Sequence, residues 1–195
     1  MMQNKVVWLM GGSGSGKTSA SVIFREMGFT VIDADKVARS VLETGKPGFN
    51  ETVSAFGKDI LLQDGSINRK KLGEEVFANS EKLRILNGIT HKYIKRELDR
   101  IISESNNSVL IDAALPPKGF CECDRIIAVT APRKVRIKRI TERDGISEKA
   151  AENRIASQLS DTEYSEMADM TFQNCGSIED LKAKIKKWCI DEKII

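Results

Sequence analysis

The sequence predicts an α/β protein in which helices cover both faces of a parallel sheet, giving three layers (α/β/α). Short β-rich runs alternate with helical segments along most of the 195 residues. A glycine-rich phosphate-binding motif directly follows the first of these runs, and aspartates follow two others. Because parallel sheets of this kind bind ligands at the carboxyl ends of their strands, these features predict a binding edge. The length suits one substantial domain with a small insertion.

Five runs are predicted to be strands because they are short, apolar or β-branched, and bounded by turn residues or aspartate. The second run leads to Asp33 and the third to Asp112. Alternation with helices requires crossover connections, so the strands should run parallel. The five runs are 6–9, 29–32, 109–111, 125–129 and 170–172.

Helices are predicted between the strands, where apolar residues recur about every three or four positions. The longest such segment is Ser80 to Glu104, and Leu181, Ile185 and Trp188 mark an amphipathic helix near the C-terminus. One helix is expected from 147 to about 160. The others are expected at 19–27, 36–43, 49–56, 68–77 and 133–142.

The composition argues against nucleic-acid and membrane partners. Thirty-one Lys and Arg against 28 Asp and Glu leave a net charge of only +3. No run approaches the roughly 20 apolar residues that a membrane span needs, and we expect no signal peptide. We therefore expect a cytoplasmic protein, a monomer or weak homo-oligomer. Reduced thiols are expected at all four cysteines, which are Cys121, Cys123, Cys175 and Cys189.

The glycine-rich motif fits the phosphate-loop pattern G-x-x-x-x-G-K-[ST] at every fixed position. Its glycines let backbone N–H groups surround an anion, and the following helix adds the positive end of its dipole. Lys17 should reach the β- and γ-phosphates, and the Thr18 hydroxyl should bind Mg²⁺. A flexible Gly/Ser linker is the alternative, but a strand before and a helix after favour the loop. The motif predicts binding of a nucleoside triphosphate by Gly11, Gly12, Ser13, Gly14, Ser15, Gly16, Lys17 and Thr18.

Three aspartates at strand ends are candidate catalytic or metal-binding residues. Asp33 and Asp35 follow the second strand, and either carboxylate could cap the next helix. One of them could also take the proton from an attacking hydroxyl. Asp112 could hold Mg²⁺, directly or through water, or could simply begin a turn.

The predicted helix near 133–142 carries a row of basic residues. Arg136, Arg139 and Arg143 are three and four positions apart and so share one helix face. Such like charges repel each other unless an anion lies opposite or neighbouring carboxylates screen them. We favour a movable helical lid over phosphates, which would exclude water during transfer. The next predicted helix would contribute Arg154 and Gln158, which are four apart.

His91 is the single histidine of the chain. It shares a helix face with Ile94 and Leu98, so one interpretation is a part-buried structural histidine. Contact with a substrate is a second interpretation. A general base is less favoured, because phosphoryl transfer depends mainly on positioning and charge stabilisation.

Taken together, these segments resemble the dephospho-coenzyme A kinase family over nearly the whole chain, from Gly11 to about Gly176. Many families share the phosphate loop, but the other matches are more specific. They are Val31-Ile32-Asp33-Ala34-Asp35 with Ala38-Arg39, Phe56-Gly57 with Ile60-Leu61, Asp64-Gly65, Asn68-Arg69 with Leu72-Gly73 and Val76-Phe77, Ile89-Thr90-His91, Arg143-Asp144-Gly145, Arg154-Ile155 with Gln158, Ala168-Asp169 and Asn174.

The resemblance implies transfer of the ATP γ-phosphate, with Mg²⁺, to the ribose 3′-hydroxyl of dephospho-coenzyme A, the final step of coenzyme A synthesis. It also implies a phosphate-loop kinase core with an inserted helical substrate domain and a helical lid. The core would comprise about 1–35, 106–138 and 161–195, the insertion about 36–105 and the lid about 139–160.

The resemblance also implies roles for individual residues. Asp35, the second aspartate of the Asp-Ala-Asp segment, would be the base, with Lys17 and Arg143 as further catalytic residues. Arg139 and Arg143 would contact ATP. The acceptor would be contacted by Asp35, Arg69, His91 and Asp112, and Mg²⁺ by Thr18 and Asp112.

Two departures from the family pattern concern the acceptor rather than ATP. The family usually continues Asp-x-Pro-Leu-Leu-Phe-Glu after the third strand, where this chain has Asp112-Ala113-Ala114-Leu115-Pro116-Pro117-Lys118. The proline that follows the histidine in the family is Lys92 here.

Three other functions are compatible with a phosphate loop. A nucleoside monophosphate kinase would share the core and lid but lack the Asp-Ala-Asp and Ile-Thr-His segments. A guanine-nucleotide switch would carry Asn-Lys-x-Asp, whereas Asn4-Lys5 is followed here by Val6-Val7. The altered segment 113–118 leaves open an ATP-binding relative that is inactive or takes another acceptor.

Overall fold

The computed structural model of the chain describes residues 4–114 and 121–194. Within these ranges, five parallel strands form one sheet in the order β2-β3-β1-β4-β5. This confirms the predicted parallel sheet and all five predicted strands. Their bounds are β1 Val6–Met10, β2 Thr30–Asp33, β3 Val109–Asp112, β4 Arg125–Thr130 and β5 Met170–Gln173.

The strand register brings three functional positions to one edge of the sheet. Leu9 of β1 pairs with Asp112 of β3, and Asp112 pairs in turn with Asp33 of β2. Gly11 begins the loop one residue after β1 ends. The start of the phosphate loop, Asp33 and Asp112 therefore lie together at the carboxyl edge, as predicted for a sheet of this type.

Helices flank this sheet. A separate group of helices is formed by the chain segment that connects β2 to β3. A short 3₁₀ helix lies at Lys58–Ile60. The α-helices are α1 Lys17–Glu26, α2 Ala34–Ser40, α3 Pro47–Phe56, α4 Arg69–Phe77, α5 Ser80–Glu104, α6 Arg133–Asp144, α7 Glu148–Ala156, α8 Asp161–Glu166 and α9 Ile178–Asp191.

The single helix predicted from 147 to about 160 is wrong, because two helices lie in and beyond this range. Helix α7 ends at Ala156. Ser160 then caps α8: its hydroxyl accepts from the Glu163 N–H, and the Glu163 carboxylate accepts from the Ser160 N–H. This capping box stabilises a new helix start. Gln158 consequently lies in the break and does not share a helix with Arg154.

Both faces of the sheet are buried. Helices α1 and α9 cover one face, where Phe24 meets Phe29 edge to face with ring centroids 4.9 Å apart. Phe172 of β5 meets Trp188 of α9 in the same way at 5.8 Å. Neighbouring residues in a strand point to opposite faces, and Trp8, which faces away from this cluster, is also buried. The sheet is therefore the middle layer of its unit.

The chain divides into two compact units, one of which comprises residues 34–104. This helical unit contains α2 to α5, with α3 and α4 packed against α5. Its fully buried positions include Ile60 and Leu98. On its surface the Glu51 carboxylate accepts from Lys92 Nζ at 2.5 Å and from Tyr93 OH at 2.7 Å, and these bonds lower the pKa of Glu51. The sheet and the remaining helices form the other unit.

The four cysteines are reduced thiols, and burial suppresses the reactivity of Cys189. None of the four cysteines forms a disulfide. Cys189 lies in the core beside α1, and burial raises its pKa to about 12. Among the described helices, none has both the length and the apolar character needed to cross a membrane.

Helix α9 offers a matched test of this packing. Ile185 is fully buried and Ile190 is 54% exposed on the same helix. We expect Ile185→Ala to lower the free energy of unfolding by about 2–5 kcal/mol, the range for a buried aliphatic truncation. Ile190→Ala should change it by less than about 0.5 kcal/mol. Denaturant unfolding of both variants measures the difference, and equal effects would contradict the burial of one face of α9.

Candidate active site

The phosphate loop joins β1 to α1 and depends on glycine at two points. Gly14 and Gly16 have φ values of 76° and 103°, in the left-handed region that other residues rarely adopt. The Ser15 N–H donates to the Gly12 carbonyl at 3.1 Å, which turns the loop back on itself. Helix α1 begins at Lys17, so its first N–H groups face the space that the loop surrounds.

Two side chains hold the far half of the loop from outside. Arg139 Nη1 donates to the carbonyls of Gly14 at 3.2 Å and Ser15 at 3.3 Å. Asn174 Nδ2 donates to the Ser15 carbonyl at 2.9 Å, and Asn174 is buried. The sequence matches the family pattern at Asn174 but predicts no role for this residue. Its position directly after β5 is the signal that could have suggested one.

Lys17 is held by a carboxylate on the neighbouring strand. Its Nζ donates to Asp112 Oδ1, and both side chains are largely buried. Ser21 Oγ donates to the other oxygen of Asp112 at 2.5 Å. Ser21 lies one helical turn beyond Lys17, so both reach the same carboxylate. Sequence reasoning missed Ser21, although its spacing of four from Lys17 indicates a shared face.

Oxygen ligands suitable for Mg²⁺ are present at Thr18 and Asp112. Thr18 is exposed in the first turn of α1, and Asp112 accepts hydrogen bonds at the sheet edge. In the ranges that the structure describes, no group of three or more acidic, His or Cys side chains could form a complete metal cage. Mg²⁺ usually takes only one or two protein ligands and completes its shell with phosphates and water. The donor set therefore fits Mg²⁺ bound together with a nucleotide.

The two remaining acidic candidates occupy different units. Asp33 is the last residue of β2, directly beside Asp112. Asp35 lies two residues further on, exposed in the first turn of α2, which belongs to the helical unit.

The predicted row of arginines on α6 has three different environments. Arg136 is only 3% exposed, so it does not share a solvent-facing surface with the other two. Arg139 contacts the phosphate loop. Arg143 donates to both carboxylate oxygens of Asp144, at 2.7 and 2.9 Å. Arg154 of α7 donates to the same carboxylate, and together these bonds lower the pKa of Asp144 to about 2. Asp144 thus screens Arg143, as one alternative in the sequence analysis stated.

A cleft of about 140 Å³ opens on the outer side of the loop. Its wall includes Gly16, Arg139 and Asn174, together with Gly176 and the first residue of α9, Ile178. Ile178 is 53% exposed, although it is a large apolar residue. A planar guanidinium and an exposed aliphatic side chain suit a flat, partly apolar group such as a purine base.

The two predicted acceptor contacts in the helical unit are on its surface. Arg69 is the first residue of α4 and donates from Nη2 to the Arg39 carbonyl at 2.9 Å. His91 is exposed on α5, whereas Ile94 and Leu98 are buried. The predicted partial burial of His91 is therefore wrong. Of the altered segment 113–118, residues 115–118 lie outside the described residues.

Comparison with known proteins connects this geometry to one family. The family model described as CoaE, dephospho-CoA kinase, matches residues 5–180. A curated dephospho-CoA kinase from Carboxydothermus hydrogenoformans is 38% identical over 198 residues, covering 96% of each chain.

Two solved structures are similar over nearly their full lengths. Dephospho-CoA kinase from Campylobacter jejuni superposes with a TM-score of 0.67 and 26% identity, over 99% of this chain and 100% of the other. The crystal structure of TT1252 from Thermus thermophilus gives a TM-score of 0.77 at 24% identity, covering 97% and 98%. The likeness to TT1252 supports the fold alone. The family model and the curated relative from Carboxydothermus hydrogenoformans both show that the chain belongs to the dephospho-CoA kinase family.

Proposed function

We propose that this chain transfers the γ-phosphate of ATP to the ribose 3′-hydroxyl of dephospho-coenzyme A, giving ADP and coenzyme A. This is the final step of coenzyme A synthesis. The observation that carries the proposal is the family match over residues 5–180, which spans the phosphate loop and the whole helical unit. The paired Lys17 and Asp112 beside the loop supply the electrostatic groups that such a transfer needs.

ATP binds in the sheet-containing unit. Its phosphates occupy the loop from Gly12 to Thr18, where inward N–H groups, the α1 dipole and Lys17 all favour negative charge. The adenine base enters the cleft beside Arg139 and Ile178. This position leaves the phosphates at the start of α1, because Gly16 belongs to both the cleft and the loop.

The Thr18 hydroxyl and Asp112 would hold Mg²⁺, directly or through water. The bound ion would supply positive charge that offsets the charge of the phosphates. Lys17 stabilises the charge that develops on the transferring group. Ser21 orients the Asp112 carboxylate, since it donates to the oxygen that Lys17 does not use.

The acceptor hydroxyl is oriented by Asp35, which also takes its proton. Arg69 and His91, which are both exposed, are further proposed contacts of the anionic acceptor, as is Asp112. Because the transition state is loose, orientation of the hydroxyl contributes more than its deprotonation.

Residues 139–160 act as a helical lid whose ends, at Arg139 and Gln158, stay bonded to the phosphate loop while the part between them moves. Closure exchanges the Arg143–Asp144 bond for contact with phosphate and excludes water from the reacting groups. The exposed end of α6 and the adjacent α7 suit this movement, since Arg143 is 58% exposed at its side chain.

An acceptor panel tests the proposed reaction. We expect ADP to form from ATP and Mg²⁺ with dephospho-coenzyme A, and coenzyme A to appear in equal amount. Nucleoside monophosphates and buffer alone are the comparison arms. Comparable turnover with a monophosphate, or ATP hydrolysis without an acceptor, would contradict the proposed function.

Replacement of Lys17 tests the loop assignment. We expect Lys17→Ala to reduce turnover at least about 100-fold, the scale for loss of one electrostatic donor to the transition state. Lys182→Ala is the control, because Lys182 pairs with Glu26 in an exposed bridge. Melting temperatures establish that both variants fold. A folded Lys17→Ala enzyme with near-normal turnover refutes the assignment.

The two aspartates after β2 are distinguished by a matched pair of variants. Asp35→Asn keeps shape and hydrogen bonding but cannot take the proton, so ATP binding should persist while transfer falls roughly 100-fold or more. Asp33→Asn should affect stability more than transfer if Asp33 mainly caps α2. Measurements are ATP affinity, melting temperature and turnover. The base is misassigned if Asp33→Asn abolishes transfer while Asp35→Asn leaves it intact.

A further inference from the structure

Every polar group of Ser13, at the centre of the phosphate loop, is bonded to Arg136 or Gln158. The Ser13 N–H donates to Gln158 Oε1 at 2.8 Å. Gln158 Nε2 donates to Ser13 Oγ at 3.1 Å. Arg136 Nε donates to the Ser13 carbonyl at 2.9 Å. Ser13 is thus fixed by residues that lie more than 120 positions away in the chain.

Arg136 and Gln158 also bond to each other, so they act on Ser13 as one unit. Arg136 Nη2 donates to Gln158 Oε1 at 3.3 Å, and Arg136 Nη1 donates to Asp161 Oδ1 at 2.9 Å. All three guanidinium nitrogens are therefore bonded. Burial of a guanidinium is costly unless its donors are satisfied. Arg136 is only 3% exposed, so its guanidinium group depends on these hydrogen bonds and not on water.

The contact with the Ser13 carbonyl determines where the next N–H points. Among the described residues no peptide bond is cis, and in a trans peptide the C=O and N–H point in opposite directions. The Ser13 carbonyl and the Gly14 N–H belong to the same peptide. Because Arg136 draws this carbonyl outward, the Gly14 N–H is directed into the loop, where an anion would accept from it.

Gly14 also rests directly on the helix that carries Arg136. A Cβ at Gly14 would lie 2.8 Å from the Arg136 carbonyl oxygen and 3.0 Å from its Cα. The loop therefore cannot move toward α6, and Arg136 prevents it from rotating away. The break between α7 and α8 leaves Gln158 outside a helix, where its amide reaches the Ser13 N–H.

We propose that Arg136 and Gln158 are positioning residues that hold the Ser13–Gly14 peptide of the phosphate loop in its anion-binding orientation. They touch the loop from behind and contact neither phosphate nor acceptor. This inference rests on the proposed binding of ATP phosphates at the loop. It adds that the segment after α7 determines phosphate affinity through Ser13.

The test compares the affinity for ATP with the affinity for adenosine, which lacks phosphates. Gln158→Met keeps the length of the side chain and removes both polar atoms of its amide. Arg136→Lys keeps the positive charge but removes the branched guanidinium group that bonds to several partners at once. Neither residue lines the cleft proposed for the base. We expect each variant to weaken ATP binding roughly tenfold, as for loss of a hydrogen bond that orients a charged contact. Adenosine affinity should change less than about twofold.

Turnover supplies a second readout, and a nearby ion pair supplies the control. We expect the KM for ATP to rise in both variants while the KM for the acceptor is unchanged. The double variant should lose no more than the larger single effect, because the two residues act as a unit. Arg133→Gln breaks the 3.2 Å bridge from Arg133 of α6 to Glu152 of α7 without touching the loop, and this variant should bind ATP normally.

Two results would overturn the proposal. One is an equal loss of ATP and adenosine affinity, which would indicate general loosening of the unit. The other is normal ATP affinity in Gln158→Met, a part-buried position that tolerates substitution even if Arg136→Lys does not fold. A wild-type protein that binds ATP no more tightly than adenosine would instead contradict the proposed function itself.

Discussion

The register of β2, β3 and β1 is the constraint on which the site depends. Pairing of Leu9 with Asp112 and of Asp112 with Asp33 places two carboxylates next to the start of the loop. A slip of one residue would turn Asp112 to the opposite face of the sheet and remove the partner of Lys17. The alternation of buried side chains determines the strand register. The same register determines which side chains lie at the carboxyl edge of the sheet. Lys17 and Ser21 can share Asp112 because α1 packs beside β3.

Charged and polar side chains contact the phosphate loop region on two sides. On the inner side, Lys17 is paired with a partly buried carboxylate, which lowers the cost of keeping an ammonium group away from bulk water. On the outer side, Arg139 and Asn174 bond to consecutive carbonyls. The carbonyls of Gly14 and Ser15 are thus bonded from outside, by one guanidinium and one amide. Lys17 adds a cation on the inner side, so cationic side chains contact the loop region on both sides.

Local patterns predicted the sheet, its helices and the loop, because β-rich runs and the motif are short-range signals. Asp112 was located correctly because it directly ends a strand. The break after Ala156 was missed, since the capping box of Ser160 with Glu163 competes with an otherwise helical pattern. Burial of Arg136 was also missed: helical spacing groups it with Arg139 and Arg143, and only tertiary packing separates them. The contacts of Asn174 and Gln158 join residues more than 140 positions apart, which no periodicity reports.

Two glycines of the phosphate loop, Gly11 and Gly14, are required by the packing of neighbouring backbone. A Cβ at Gly11 would lie 2.5 Å from the Val129 carbonyl oxygen, and one at Gly14 would meet the backbone of α6. Both clashes are with main-chain atoms of neighbouring elements, so they arise whether or not a nucleotide is bound. Selection for folding alone would therefore preserve these glycines in a descendant that no longer transferred phosphate. In such a lineage the glycines would remain after the activity was lost, whereas the proposed catalytic residues Lys17 and Asp35 would be free to change.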